Sequence, residues 1–425
     1  MALLQVALDF MILERALKAA KEALEGGADL LEAGTPLIKS AGMKAVRKLA
    51  EFGKPVVADL KTMDVGRVEV EMAAKSGAKI ITVLALADDE TIVDSVEAAE
   101  KYGARVMVDL INHPDPVQRA KEVEGLGTHY LCVHVGVDQQ MHGRNPLDTL
   151  RNVVSSVNIP VAAAGGLNVE TVPEVVRLGA EIVIVGGAII KAPDIKEATK
   201  NIKSAMEGVN VEIGDLYRKY RGEEIKKAFM LVSTPNLSDA MHRKNAIGNL
   251  LKLSGGKMVG RAFTVRTMDG DWAKPVEAIE KASPGDVIVV ESLPGYAAVW
   301  GELATWSAKV KGISGIVIFG AVRDADEIKK IDIPVYARRI VPNAGEPKGF
   351  GEMQIALDID GVKINPGDWI VGDESGIVVI PKERAVEVAN RALDVMEHEN
   401  RVREEIKRGS TLSVVMELED WEVNR

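Results

Sequence analysis

A single cysteine, Cys132, occurs in the 425 residues. An intrachain disulfide is therefore excluded, and a reducing compartment, the cytoplasm, is expected. Cys132 lies in the apolar run Tyr130-Leu131-Cys132-Val133, where buried packing is expected rather than nucleophilic chemistry. Aromatic residues are scarce, with six Phe, six Tyr and five Trp, so the cores must be built from Val, Ile, Leu, Ala and Met. No uninterrupted apolar run approaches the ~20 residues that cross a bilayer. The opening MALLQVALDF is soon broken by Asp9, Glu14 and Arg15 and lacks the basic region of a signal peptide, so no membrane partner is expected. No Lys/Arg block occurs either, and the formal net charge is −10. Without a basic stripe, nucleic acid is not expected as a direct partner. An acidic chain can still hold phosphate groups, because backbone N–H groups do that work.

Short apolar, β-branched segments recur at an even spacing through the first half. They are LQVALD (4–9), LLEAG (30–34), PVVADL (55–60), KIITVL (79–84), ARVMVDL (104–110), YLCVHV (130–135), PVAAAG (160–165) and EIVIVG (181–186). Between them lie stretches of helical period that mix apolar and charged positions and often close on Gly. Continuous apolar strands alternating with helices indicate a parallel sheet covered on both faces. Eight such units in about 200 residues predict a closed (β/α)8 TIM barrel, of α/β class, over residues 1–208.

In such a barrel the site lies at the C-terminal ends of the strands. The polar residues expected there are Asp9, Glu32, Asp59, Lys61, Asp109 and His134. Strands seven and eight end instead in Gly165-Gly166 and Gly186-Gly187. Glycines let a backbone approach a phosphate closely, and barrels commonly bind phosphate after these two strands. The most specific local pattern is Asp59-Leu60-Lys61-Thr62-Met63-Asp64, a D-x-K-x-x-D in which Asp59 and Lys61 share the strand period and aim into the mouth. Asp64 falls in the following loop. Asn112 and His113 follow strand five without an assignable role, and His129 and His142 read as surface residues.

That motif at the end of a third barrel strand resembles the orotidine 5′-monophosphate decarboxylase suprafamily, over about residues 3–208. Glu32 stands where the decarboxylase itself has a lysine. The stretch His134-Val135-Gly136-Val137-Asp138-Gln139-Gln140 is similar to the H-x-G-x-D-x-Q pattern of 3-hexulose-6-phosphate synthases. Val137 replaces the arginine of the related 3-keto-L-gulonate-6-phosphate decarboxylases, which leaves that activity as the alternative. The resemblance implies an aldehyde-lyase that joins formaldehyde to ribulose 5-phosphate, or releases it. It further implies Mg²⁺ or Mn²⁺ held by Glu32 and Asp59, with catalytic roles for Asp9, Lys61, Asp64 and His134. A homo-oligomer is implied as well, with dimeric barrels in which Asp64 acts on the neighbouring subunit's site.

The repeat stops after Gly187 and one more helix. A charged, irregular stretch at 209–222 reads as a linker. Residues 223–425 have a different texture, with short strands joined by turns such as SPGD (283–286) and NPGD (365–368), and a long amphipathic helix near the end. This predicts an α+β domain with mixed β structure. Its motifs are Ser233-Thr234-Pro235-Asn236-Leu237-Ser238-Asp239-Ala240, Gly301-Glu302-Leu303-Ala304-Thr305 and Gly320-Ala321-Val322-Arg323-Asp324. Over about residues 224–412 they resemble the family of the regulator of ribonuclease activity A and the class II 4-hydroxy-4-methyl-2-oxoglutarate aldolases. The resemblance implies a metal at Asp324, with Glu302 and Glu327 ordering the shell around it. Arg323 would grip the carboxylate of a 2-oxo acid, and the domains would be trimeric. Glutamate at 302 replaces the more usual aspartate, so a protein-binding regulator of RNA processing is the alternative for this half.

Overall fold

The computed structural model describes residues 2–416 and Leu418. It divides into two compact units, the first of residues 1–219 and 397–425, the second of residues 220–396. The helix Ala385–Lys407 thus contributes residues to both. A single second domain running to the chain end, as expected from the sequence, is corrected from residue 397 onward. The physical reason is local. Glu397 and Arg401 are buried against residues of the first unit, where they bond the Tyr217 N–H and the carbonyls of Ala192 and Pro193.

The first unit is a closed barrel of eight parallel strands in sequential order. These are β1 (Leu3–Leu8), β2 (Leu30–Ala33), β3 (Val56–Thr62), β4 (Ala78–Leu84), β5 (Arg105–Asp109), β6 (Tyr130–His134), β7 (Val161–Ala164) and β8 (Ile182–Val185). β1 pairs with β8 to close the ring. Each strand is followed by helix, as the alternating pattern requires. One set of strand residues, including Leu4, Val6, Leu31, Ala58, Ile81, Val83 and Val108, packs outward under the helices. The other set fills the barrel with small and medium side chains, among them Ala7, Leu30, Val57, Ile80, Met107, Cys132, Ala164 and Ile184. Each fully buried Val, Ile or Leu contributes about 1.5–3 kcal/mol, and the two layers together supply a core with few aromatics.

Strand period then dictates the site. Two residues beyond an inward core residue, the chain again points inward, now at the mouth. Ala7 leads to Asp9, Leu30 to Glu32, Val57 to Asp59, Ile80 to Thr82, Met107 to Asp109, Cys132 to His134, Ala164 to Gly166 and Ile184 to Gly186. β3 is not regular at its end. Its register with β4 shifts between Ala58 and Thr62, and Lys61 adopts φ 50°.

The second unit is built on a ten-stranded mixed sheet. Leu251–Ser254, Val335–Ile340, Gly315–Val322, Val287–Glu291, Met258–Thr267, Trp369–Asp373, Gly376–Ile380 and Ala246–Ile247 follow one another across it. The central four from Val335–Ile340 to Met258–Thr267 are parallel, and the flanking pairs are antiparallel. Two short strands, Ala298–Trp300 and Gly351–Met353, attach beside this path. Among the described residues, no helix is long and apolar enough to cross a membrane.

Candidate active site

Asp59 organises the barrel mouth. Its Oδ2 accepts from Lys61 Nζ at 2.6 Å and from Thr35 Oγ1 at 2.7 Å, and its Oδ1 accepts from Thr82 Oγ1 at 2.8 Å. The Lys61 N–H also donates to Thr82 Oγ1, at 3.1 Å, so one threonine fixes both the carboxylate and the bulged backbone. Across the mouth, Asp109 Oδ2 stands 2.8 Å from His134 Nδ1 and 3.6 Å from Lys61 Nζ. Its Oδ1 accepts the Ile111 N–H at 2.9 Å. An ionised Asp109 fixes the Nδ1–H tautomer of His134 and leaves Nε2 as the nitrogen that can exchange a proton. Glu32 is buried beside Gln5, whose Nε2 donates to it at 2.5 Å.

The charges do not balance. Burial first, then the charges of Asp59 and Asp9, push the Glu32 carboxyl well above its ordinary range. Asp9 has an exposed surface at the mouth, yet surrounding protein atoms desolvate it, and that desolvation with the Asp59 charge raises its carboxyl too. Burial works to lower Lys61, but Asp59 and Asp109 outweigh it and raise the ammonium above the ordinary lysine range. Burial works to raise Asp109, but its hydrogen-bonded partner His134, then Lys61, hold it below the ordinary carboxylate range. Lys61 is therefore fully committed as a cation, and Glu32 and Asp9 are left short of positive charge.

A divalent cation fits that deficit. A carboxylate offers about four lone-pair sites. Asp59 uses three and Glu32 accepts one bond from Gln5, so both retain donor capacity. Among the described residues, the group of three candidate ligands whose atoms lie within 4.8 Å of one another is Asp109, Cys132 and His134. That group is better read as the Asp109–His134 pair over a core thiol, since burial drives the Cys132 pKa well upward and keeps it a thiol.

Gly165 has φ +104°, and a Cβ there would stand 2.2 Å from the Val135 carbonyl oxygen, so glycine is required at the end of β7. Gly186 and Gly187 close β8, with Lys191 Nζ 3.9 Å from where a Gly187 Cβ would be. Asp64 does not join the other charged residues. It is exposed in the loop after β3, where its Oδ1 accepts the Val65 N–H at 2.7 Å. Exposed apolar side chains of Met63, Val65, Val68 and Met72 accompany it in sequence.

In the second unit, the strand Gly315–Val322 ends at Arg323-Asp324, and the helix Glu302–Lys311 starts after Gly301. Asp324 takes a left-handed backbone, φ 56° and ψ 37°. Its Oδ2 accepts from the Glu302 N–H at 3.3 Å and lies 3.5 Å from Arg323 Nε. A Cβ on Gly301 would come within 2.6 Å of that oxygen. Arg323, Asp324 and the start of the helix at Glu302 are thus brought together and half-exposed. Glu327 differs from expectation. Its carboxylate pairs with Lys330, just past the end of its short helix, at 2.8 Å, instead of turning to Asp324.

Residues 2–202 match the family model described as Orotidine 5'-phosphate decarboxylase / HUMPS family. The 3-hexulose-6-phosphate synthase of Staphylococcus epidermidis is 42% identical over 208 residues, spanning 48% of this chain and 99% of that relative. The chain belongs to this family. The 3-hexulose-6-phosphate synthase of Bacillus subtilis is similarly close, 41% identical over 203 residues, 47% of this chain and 96% of the relative. The HUMPS-family half is accordingly similar to lyases. Residues 234–379 match the RraA-like model, described as Aldolase/RraA. A solved structure of the RNA-processing inhibitor RraA from Thermus thermophilis shares 29% identity over 35% of this chain and 92% of its own, with a TM-score of 0.34.

Four participants in the HUMPS-family mouth, Asp109, Thr35, Thr82 and Gln5, have roles that the sequence does not assign. Asp109 reads from the sequence only as a strand-end polar residue, and its role comes from its partner His134. Thr35, Thr82 and Gln5 are silent in the sequence because Thr and Gln carry no chemical flag. The signal that could have found Thr82 and Gln5 is the two-residue period from the inward residues Ile80 and Ala7.

Proposed function

We propose that the barrel catalyses the aldol condensation of formaldehyde with ribulose 5-phosphate to hex-3-ulose 6-phosphate, or its reversal, with Mg²⁺ or Mn²⁺ held by Glu32 and Asp59. The observation that carries the reading is the pairing of two devices at one mouth. One is a lysine locked as a cation between Asp59 and Asp109; the other is a histidine oriented by Asp109. When bound, the metal supplies further positive charge for the substrate oxygens. The glycines after β7 and β8 receive the phosphate through backbone N–H groups. His134 Nε2 takes the proton from C1, and the C1–H pair becomes the enediolate. Lys61 stabilises the charge that develops on its oxygen. The enediolate carbon attacks the formaldehyde carbon, and the new alkoxide takes up a proton. Asp9, whose carboxyl is raised, carries that proton.

The same reading makes the barrel dimeric. Met63 and Val65 flank Asp64 and, with Val68 and Met72 on the following helix, are exposed apolar residues that a second subunit would cover, so that Asp64 reaches the neighbour's site. In the second unit, Arg323 and Asp324 support a metal-dependent lyase acting on a 2-oxo acid. Leu303 and Val310, 78% and 85% exposed, line one face of the helix Glu302–Lys311 with Trp306 and favour a trimeric contact there.

The test is formaldehyde-dependent consumption of ribulose 5-phosphate by the full chain, with Mg²⁺ and then with a chelator. Metal-dependent turnover lost in Asp59→Ala and Lys61→Ala is expected. No turnover in folded, metal-supplied protein overturns the assignment.

A further inference from the structure

The family match ends at residue 202, and 208 residues of this chain already account for 99% of the Staphylococcus relative. The barrel unit nevertheless takes in Tyr217 and the chain from Glu397, and these additions converge on the loops after β7 and β8. Asn168, two residues beyond Gly166, donates through Nδ2 to the Tyr217 carbonyl at 2.8 Å. The Tyr217 hydroxyl donates to the Lys191 carbonyl at 3.2 Å. Arg401 Nη1 donates to the carbonyls of Ala192 and Pro193, 3.3 Å each, and Arg408 Nη2 donates to Pro193 at 2.8 Å.

The carbonyls of residues 191–193 lie just past the four-residue helix Gly187–Ile190, and backbone carbonyls are strong hydrogen-bond acceptors. In this chain the partners come from outside the family barrel. Arg401 is itself held: it is 4% exposed, and its Nε bonds Glu405, which also bonds Arg15 on the helix after β1. Tyr217 is pinned by Glu397, which accepts its N–H at 2.5 Å. Its φ of 62° is a conformation that a non-glycine residue keeps only where its surroundings impose it. Both glycine-bearing loops are thus tied to one buried frame.

We propose that Tyr217 and Arg401 are positioning residues for phosphate recognition. By fixing the Asn168 and Lys191–Pro193 loops they set the backbone N–H groups of the glycine pairs, so the segments outside the family barrel form part of its substrate grip. The inference rests on the reading of the barrel as a sugar-phosphate lyase.

The experiment uses the full chain and compares Tyr217→Phe, Arg401→Met and Arg401→Lys with the parent. The expected result is a KM for ribulose 5-phosphate raised about threefold in Tyr217→Phe and about tenfold in Arg401→Met, with kcat and the KM for formaldehyde held within about twofold. That pattern marks lost ground-state binding. Arg401→Lys restores part of the loss. Calorimetric affinity for inorganic phosphate falls in parallel. Unchanged phosphate affinity and KM in folded Tyr217→Phe overturn the proposal, as does a fall in kcat without a rise in KM. Should Arg401→Met not fold, Tyr217→Phe, which loses one hydroxyl, decides. If the parent shows no turnover, the lyase reading fails by itself, and the phosphate titration of parent against variants still decides the positioning role.

Discussion

Gly34→Ala separates catalysis from stability in the barrel. Gly34 follows β2 with φ −63° and ψ 156°, a backbone that alanine adopts freely. Restricting the unfolded chain stabilises by up to about 1 kcal/mol at a compatible site, so no loss of fold is expected from the backbone. The main obstacle is one side chain, with a backbone carbonyl that must give by a few tenths of an ångström. The new Cβ would lie 2.2 Å from Asp9 Oδ1 and 3.1 Å from the Leu8 carbonyl oxygen. Asp9 borders the open mouth, so its carboxylate can retreat, and it must move about 1.2 Å to reach ordinary contact at 3.4 Å. A displacement of that size in a reacting group costs about 10²-fold in rate, or about 2.7 kcal/mol of barrier. We expect kcat in the formaldehyde and ribulose 5-phosphate assay to fall about a hundredfold while the melting temperature stays within about 2 °C. In an Asp9→Ala background, adding Gly34→Ala should cost almost nothing, because the two changes act through one group. Full activity in the single variant, or an undiminished second cost in the double variant, would refute a role for Asp9 as placed here.

Asp109→Asn should lower kcat about 10- to 100-fold, since a charge-assisted hydrogen bond is worth about 1.5–3 kcal/mol, and steady-state kinetics with little change in KM would bear this out. Glu32 and Asp9 have raised carboxyls, so in metal-free protein the stability they contribute is present below the ordinary carboxylate range and is lost as pH rises through their raised values. Mg²⁺ needs the ionised forms, so its stabilising effect in thermal melts should be larger near about pH 8 than near about pH 5, and Glu32→Gln should flatten that difference. In the second unit, Asn390 Oδ1 accepts the buried Tyr220 N–H at 2.8 Å and its Nδ2 donates to the Tyr220 carbonyl at 3.1 Å. Asn390→Ala should therefore cost about 2–3 kcal/mol, read by denaturant unfolding of the full chain. Any pyruvate-releasing activity on 4-hydroxy-2-oxo acids should vanish in Asp324→Ala, and should also fall in Gly301→Ala, whose Cβ displaces the same carboxylate.

How much of this was legible in the sequence depended on whether the cause was local. The eight barrel strands were readable because parallel strands buried on both faces are continuous apolar runs, and the observed bounds lie within a residue or two of those runs. Asp9, Glu32, Asp59 and His134 were readable because a strand-end polar residue two steps past an inward apolar one has few other places to point. The bulge at Lys61 was not, because it arises from the register between β3 and β4, and nothing in DLKT encodes the partner strand. The capture of residues from Glu397 by the first unit was equally hidden. The helical period runs unbroken through 396, and the carbonyls of residues 192 and 193 that receive Arg401 leave no trace in side-chain pattern.

Glu327 shows where spacing itself stops deciding. An acid three residues after Asp324 lies on a face that could turn to Asp324 or to Lys330, three residues further on. An i,i+3 ion pair is worth only about 0.2–0.5 kcal/mol, so the preference for Lys330 is small on the energy scale of a bound metal. A cation at Asp324 would reverse it if Glu327 belongs to that shell. Lys330→Ala then becomes informative: by removing the competitor it should tighten metal binding at Asp324, whereas an unchanged affinity would place Glu327 outside the site and leave Glu302 and Asp324 as its acidic members.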